Sequence, residues 1–258
     1  MIVVVPDDQY ARWQRIVEKV RRVESIQALE TLLNDFSSAS HPQTLGFVNA
    51  HALNTVAKSG EFFHALSSAD FLLRDGTGMA TLFSLMAQQP GLNMNGTDLI
   101  PSIIRRFNGR KIALYGTGQQ YLDRACSSVQ RLVPASPLSS AHGFLSAEAY
   151  VELAQGTRPE LIVLGMGMPK QEAVAQRLRD TLQGPCLIVC GGAILDFLGA
   201  RVPRAPRLLR TIGLEWAYRL AREPRRLFVR YIIGNPVFLY RAFRFTRTQR
   251  KALLLKAR

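Results

Sequence analysis

Ala69-Asp70-Phe71-Leu72-Leu73-Arg74-Asp75-Gly76-Thr77-Gly78-Met79-Ala80 carries the reading of the fold. Phe71 to Leu73 is an apolar run as long as a short buried strand; a carboxylate follows, then two glycines and residues suited to opening a helix. That order places Asp75 at the carboxyl end of a strand. In open α/β sheets this edge binds ligands, and Gly76-Thr77-Gly78 lets a substrate come close to the backbone. An Asp that only caps the next helix gives the same local pattern. The other strand ends have to separate the two readings.

The same unit recurs along the chain. A strand at Ile2 to Val5 and an amphipathic helix around Ile26, Leu29, Leu32 and Leu33 carry no evident chemistry. Thr44-Leu45-Gly46-Phe47-Val48-Asn49 reads as a strand with a polar tip, where Asn49 either bonds a sugar hydroxyl or caps the helix that follows. Gly96-Thr97-Asp98 sits in a polar loop that opens a helix. Lys111 to Tyr115 leads into Gly116-Thr117-Gly118, a glycine turn that invites a dinucleotide reading. Tyr121 stands where the third glycine of that fingerprint belongs, so a turn bringing backbone amides to part of a nucleotide is preferred over NAD binding. Leu161 to Leu164 runs into Gly165-Met166-Gly167-Met168-Pro169-Lys170-Gln171-Glu172. There Pro169 suits the first turn of a helix, and Lys170 and Gln171 join free amides in one anion or sugar pocket, the alternative being an ordinary helix start. The last such strand, Cys186 to Cys190, ends in Gly191-Gly192 with Asp196 beyond. Continuous apolar strands alternating with helices imply an α/β fold: a Rossmann-like, mostly parallel sheet flanked by helices.

Charge divides the chain. Residues 201–258 hold 16 Lys or Arg against Glu215 and Glu223 alone, which accounts for the whole net charge of +14. Residues 1–200 are therefore read as a neutral catalytic domain and 201–258 as a basic helical C-terminal appendage. In the appendage arginines interleave with Trp216, Tyr218, Phe228 and Tyr231 in helical stretches of about ten residues, interrupted at Pro224 and at Gly234-Asn235-Pro236. Helices this short lie on a surface rather than cross a bilayer. Anionic lipid headgroups, a pyrophosphate and nucleic acid would all accept them. Three cysteines, an odd number, fit a reduced compartment. The start of the chain lacks a secretory signal, and no apolar run of about 20 residues occurs, so neither export nor membrane spanning is expected.

Taken together, Ala69-Asp70 with Asp75-Gly76-Thr77-Gly78, Gly96-Thr97-Asp98, Gly165 to Glu172, and Gly191-Gly192 with Asp196-Phe197 form an ordered set. Arg204-Ala205-Pro206, Gly213-Leu214-Glu215-Trp216, Tyr218-Arg219-Leu220 and Glu223-Pro224-Arg225-Arg226 extend it. The set, covering roughly residues 45–232, resembles the WecG/TagA/CpsF family of bacterial glycosyltransferases. That family includes the teichoic-acid N-acetylmannosaminyltransferase and the enterobacterial-common-antigen N-acetylmannosaminuronic acid transferase. The Pro-Lys-Gln-Glu and Gly-Leu-Glu-Trp blocks carry the resemblance; glycine pairs alone would not.

The resemblance implies an inverting transfer of a sugar from a UDP donor to a sugar on an undecaprenyl-diphosphate carrier. It would take place peripherally, on the cytoplasmic side of the inner membrane, with no metal and no cofactor. It puts the general base at Asp75 and its supporting amide at Asn49. Substrate contacts are expected at Thr77, Gly78, Gly96, Asp98, Gly116, Gly118, Gly165, Gly167, Lys170, Gln171, Gly192 and Asp196. Tail arginines Arg219, Arg226 and Arg230 would face the diphosphate. Two positions depart from the family pattern, Phe47 where Thr is common and Asn93 where Arg is common. Because both belong to the sugar pocket, the expectation leans to β-glucosyl transfer onto a glucose-primed carrier in exopolysaccharide synthesis, with N-acetylmannosamine or N-acetylmannosaminuronic acid transfer as the alternative. The expected partners are the UDP-sugar, the polyprenyl-diphosphate-sugar and an anionic membrane surface, with homo-oligomers left open. Nucleic acid is not expected; a nucleic-acid-binding protein is the rival from another class.

Overall fold

The computed structural model describes residues 8–211 and 213–256; the strand expected at Ile2 to Val5 lies outside them. Seven strands form one sheet: β1 (Val20–Arg21), β2 (Pro42–Val48), β3 (Phe71–Arg74), β4 (Ile112–Gly116), β5 (Leu138–Ala141), β6 (Leu161–Gly165) and β7 (Cys186–Cys190). Their order is β1-β3-β2-β7-β6-β4-β5, and every neighbouring pair is parallel. The five strands read from the sequence between Thr44 and Cys190 are all present and parallel, while β1 and β5, which the sequence reading did not mark, add the two edges. β4, β6 and β7 are buried at all five positions, which is why they read as continuous apolar runs: a parallel sheet covered on both faces has no wet side to alternate with.

The faces separate by period two. Ile112, Leu114, Leu161, Val163, Leu187 and Val189 point into one core with the helices Ile26–Ser37, Gly96–Arg106 and Gln119–Leu132. Ala113, Tyr115, Ile162, Leu164, Ile188 and Cys190 point the other way, against the helices Ala147–Thr157 and Lys170–Thr181. Cys186 and Cys190 occupy the two ends of β7 on one face and, like Cys126, are free. Because all seven strands run parallel, their carboxyl ends share one edge.

Beyond β7 the chain runs through the helices Ile194–Leu198, Arg207–Thr211, Glu215–Arg222 and Pro224–Phe228, then a π-helical turn, Val229–Ile233. Gly234-Asn235-Pro236 does not interrupt the tail as expected. It opens a helix of 23 residues, Gly234–Lys256, because Pro236 falls in the first turn, where its missing N–H is not needed. The spacing of Phe238, Ala242 and Phe245 puts all three on one stripe, and that stripe is buried with Trp13, Leu53, Val56 and Met79. Trp13 stacks on Phe238 at 5.6 Å and meets Phe245 at 5.8 Å. Asn54 donates to the Gly234 carbonyl at 2.7 Å and accepts from Arg241 at 2.9 Å. The end of the basic tail therefore completes the same core as residues 8–83, and a boundary at residue 200 does not separate two cores. Among the described residues no helix is long and apolar enough to cross a membrane.

Candidate active site

The polar tips of the strands meet in one cavity of about 1100 Å³ above the carboxyl edge of the sheet. β2 lies between β3 and β7, so Asn49, Asp75 and Gly191-Gly192 come together although well over 100 residues separate the first from the last. This is the crevice expected where the order of a parallel sheet reverses.

Asp75 stands at its floor. The Asp75 N–H donates to the Val48 carbonyl at 2.8 Å, fixing the end of β3 to that of β2. Although Asp75 immediately precedes the helix Gly76–Leu85, its side chain makes no capping hydrogen bond. The left-handed conformation of Gly76 (φ +81°) turns the chain between strand and helix, and the Gly76 N–H donates to Asn93 Oδ1 at 2.9 Å. The carboxylate is left to Asn49, whose amide donates to Asp75 Oδ2 at 3.1 Å while its own Oδ1 accepts from Ala52 N–H at 3.0 Å. Asn49 is thus both cap and support. Burial raises the Asp75 pKa above the usual carboxylate range, opposed by the Asn49 bond and by the charges of Arg230, Arg219 and Arg74. A carboxyl held in this balance suits a general base.

The cations come from the tail. Arg210, Arg219, Arg226 and Arg230 line the cavity. Among the described residues the buried Nε atoms of Arg210, Arg219 and Arg230, like that of Arg204 outside the lining, have no hydrogen-bond partner. The Gly-Leu-Glu-Trp block passes so close to the Gly76-Thr77-Gly78 turn that a Cβ on Gly213 (φ +75°) would sit 2.6 Å from Thr77 Cγ2. Only glycine fits there. Two carboxylates secure the segment ahead of it: Asp98 pairs with Arg204 and with Arg210, and Asp196 with Arg201.

Of the residues expected to touch substrate, Asn49, Asp75, Thr77, Gly78, Gly96, Asp98, Gly118, Gly165, Gly167, Gln171, Gly192, Asp196, Arg219, Arg226 and Arg230 all line this one cavity. Asp98 and Asp196 face it while engaged by arginines, and Asp196 also accepts from Thr117 Oγ1. Gln171 bridges the two glycine turns, its Oε1 accepting from Gly192 N–H at 2.9 Å and its Nε2 donating to Glu172 at 2.8 Å. Gly116 and Lys170 fall outside the lining. Gly116 is a packing residue, since a Cβ there would lie 2.4 Å from the Gly165 carbonyl oxygen. The Lys170 ammonium turns away, donating to the carbonyls of Gly143 and Leu145 at 2.9 Å each, because its position on the first turn aims it at the loop after β5.

Phe47 and Asn93, the two departures, both line the cavity. Sequence reasoning missed His51, Phe144, Arg201, Arg210, Trp216 and Tyr231. His51 follows Asn49 by two residues, but its solitary imidazole gave no signal. Burial, then Arg230 and Lys58, lower its pKa to about 4, so the ring is neutral at neutral pH. Arg201 and Arg210 stand at the two ends of a run, with Arg204 and Arg207, in which a cation recurs every third residue of the sequence; nothing in the sequence marked Phe144. Among the described residues no group of three or more His, Cys, Asp or Glu side chains is placed to hold a metal ion.

Residues 16–252 match the profile of the glycosyl transferase WecG/TagA/CpsF family. Similar proteins include the N-acetylglucosaminyldiphosphoundecaprenol N-acetyl-beta-D-mannosaminyltransferases of Staphylococcus aureus strains MW2 and NCTC 8325. Each is 23% identical over 241 residues, which is 92% of this chain and 91% of the relative. The protein of the same name from strain MRSA252 matches over the same length at the same identity.

Proposed function

We propose that this chain, which belongs to the WecG/TagA/CpsF family of glycosyltransferases, transfers an N-acetylhexosamine-type sugar from a UDP donor to an N-acetylglucosaminyl-diphosphoundecaprenol acceptor, with inversion. The observation that carries the reading is the Asp75 carboxylate at the floor of the crevice, held by Asn49 and faced by Arg219 and Arg230. Inversion in one step needs a base that takes the acceptor hydroxyl's proton as its oxygen attacks the anomeric carbon; the bond to UDP breaks on the opposite side. Asp75 is that base. The departing diphosphate gains negative charge, and the unpaired guanidinium donors of Arg219 and Arg230 are placed to receive it.

The activity for which the relatives are named supports the amino-sugar alternative over the glucosyl expectation drawn from Phe47 and Asn93. Asn93 also has a backbone role, accepting from Gly76 N–H, which weakens its use as a sugar-specificity signal. Exposed Phe228, Val229, Ile232 and Ile233, interspersed with arginines, support docking of this face on an anionic membrane, where a lipid-linked acceptor resides. The test is incubation with UDP-N-acetylmannosamine, UDP-N-acetylglucosamine and UDP-glucose, each with synthetic N-acetylglucosaminyl- and glucosyl-diphosphate lipids, with product read by mass spectrometry. Product from the N-acetylmannosamine pair is expected. Product from UDP-glucose and the glucosyl lipid alone would restore the glucosyl reading, and no product from any pair would overturn the proposal.

A further inference from the structure

Arg74 ends β3 as a charge among apolar side chains. It is 7% exposed, and a cation so deep is ordinarily matched by a carboxylate within hydrogen-bond reach. Here all three guanidinium nitrogens go to backbone carbonyls: Nε donates to Pro90 at 2.8 Å, Nη2 to Gly91 at 2.9 Å and Nη1 to Gly76 at 3.1 Å. The first two carbonyls lie in the loop between the helices Gly76–Leu85 and Gly96–Arg106; the third lies in the turn after Asp75. Burial works against the charge, and the converging carbonyl dipoles together with the adjacent Asp75 carboxylate hold it.

Two further bonds join the same segments. Met94 N–H donates to the Arg74 carbonyl at 3.2 Å, and Gly76 N–H donates to Asn93 Oδ1 at 2.9 Å. Asp75 thus sits between two neighbours that are both fastened to the loop. The loop is closed in from behind as well: Leu92 N–H donates to the Val23 carbonyl at 2.7 Å, and a Cβ on Gly91 (φ +66°) would lie 2.6 Å from the same oxygen. Its continuation, Asn93, Asn95, Gly96 and Asp98, is a wall of the cavity that has Asp75 at its floor, while Arg74 lies behind the lining. One guanidinium therefore sets the spacing between the proposed base and the wall against which a sugar would rest. We propose that Arg74 is a positioning residue for sugar transfer: its fork joins the Gly76 turn to the Pro90-Gly91 loop and so holds Asp75 in register with the acceptor hydroxyl. This inference rests on the proposed function and adds a residue that acts through the base without touching the sugars. Arginine suits the task because one planar group reaches carbonyls of two segments at once; a lysine ammonium keeps the charge but not the fork.

Steady-state transfer, calorimetric titration of UDP and hydrogen exchange, compared in wild type, Arg74→Lys and Arg74→Met, separate the clasp from the charge. Because a reacting group misplaced by about 1 Å costs on the order of 10²-fold, kcat is expected to fall about 10- to 100-fold in both variants, with UDP affinity within about 3-fold of wild type. Exchange across residues 90–95 should quicken in both while the sheet keeps its protection. Arg74→Lys conserves the charge and most of the length, so it decides the matter should Arg74→Met not fold. Wild-type kcat in Arg74→Lys would overturn the positioning role and leave the reaction standing. Loss of turnover and of UDP affinity by the same factor, the mark of a general loosening of the fold, would overturn it equally. No transfer by the wild type with any donor and acceptor would overturn the proposed function and this role with it.

Discussion

Asn49 donates to Asp75 across 3.1 Å, and the same side chain caps the helix Ala50–Lys58 through Ala52. The cap fixes the rotamer, so the amide that supports the carboxylate is positioned by secondary structure. Asp75→Asn removes the proposed base but keeps its shape. UDP affinity should be retained and kcat should fall on the order of 10² to 10⁴. Undiminished turnover would remove Asp75 from the mechanism.

The balance of forces on Asp75 gives a pH prediction. Burial raises its pKa, and the Asn49 bond and the Arg230 and Arg219 charges hold it down. Activity should therefore decline as pH falls through the Asp75 pKa. Removing either restraint, in Asn49→Ala or Arg230→Ala, should move the acidic limb of the kcat/KM profile to higher pH. Asn49→Ala should in addition lower stability by about 1 kcal/mol through loss of the cap. A limb that stays in place in both variants would show that another group controls it.

Glu172 predicts a pH dependence of stability. It is 3% exposed, its Oε2 has no partner among the described residues, and burial pushes its pKa up to about 7. The folded state keeps a proton that the unfolded chain has already released, so this group's effect is to lower stability as pH rises from about 4.5 to about 7. The total is on the order of 3 kcal/mol. Glu172→Gln should flatten this part of the profile, with a larger gain in melting temperature at pH 8 than at pH 5. Equal shifts at both would refute it.

Asp98 is the latch for the segment that carries Arg204 and Arg210. Asp98→Asn should loosen it, raising the rate of tryptic cleavage after these arginines and the acceptor KM, with global stability changed by less than about 1 kcal/mol since the pair is partly exposed. Cleavage at the wild-type rate would assign the clasp to other contacts.

Phe228 and Val229 are 50% and 66% exposed beside Arg225 and Arg226. Phe228→Asp with Val229→Asp should reduce co-sedimentation with phosphatidylglycerol vesicles several-fold, without change in activity on a short water-soluble acceptor. Undiminished co-sedimentation would place membrane contact elsewhere.

The local sequence determined the kind of sheet and the likeness of its strand ends. Runs such as Leu161 to Leu164, apolar at every position, belong to a strand buried on both faces, and a polar or glycine tip after each run marks the carboxyl edge. It left Asp75 open between cap and base, because a strand, an Asp and a helix follow one another identically in both cases. Only the tertiary structure shows the carboxylate free of a capping bond: the Gly76 turn and the pairing of β2 with β3 hand it to Asn49 and to arginines more than 140 residues away. Strand order, the retirement of Gly116 and Lys170 to packing and loop support, the seating of Phe238 and Phe245 in the core and the exposure of Phe144 were decided at the same level. Each depends on contacts between segments distant in the chain, while hydrophobic period and turn chemistry report only on neighbours a few residues apart.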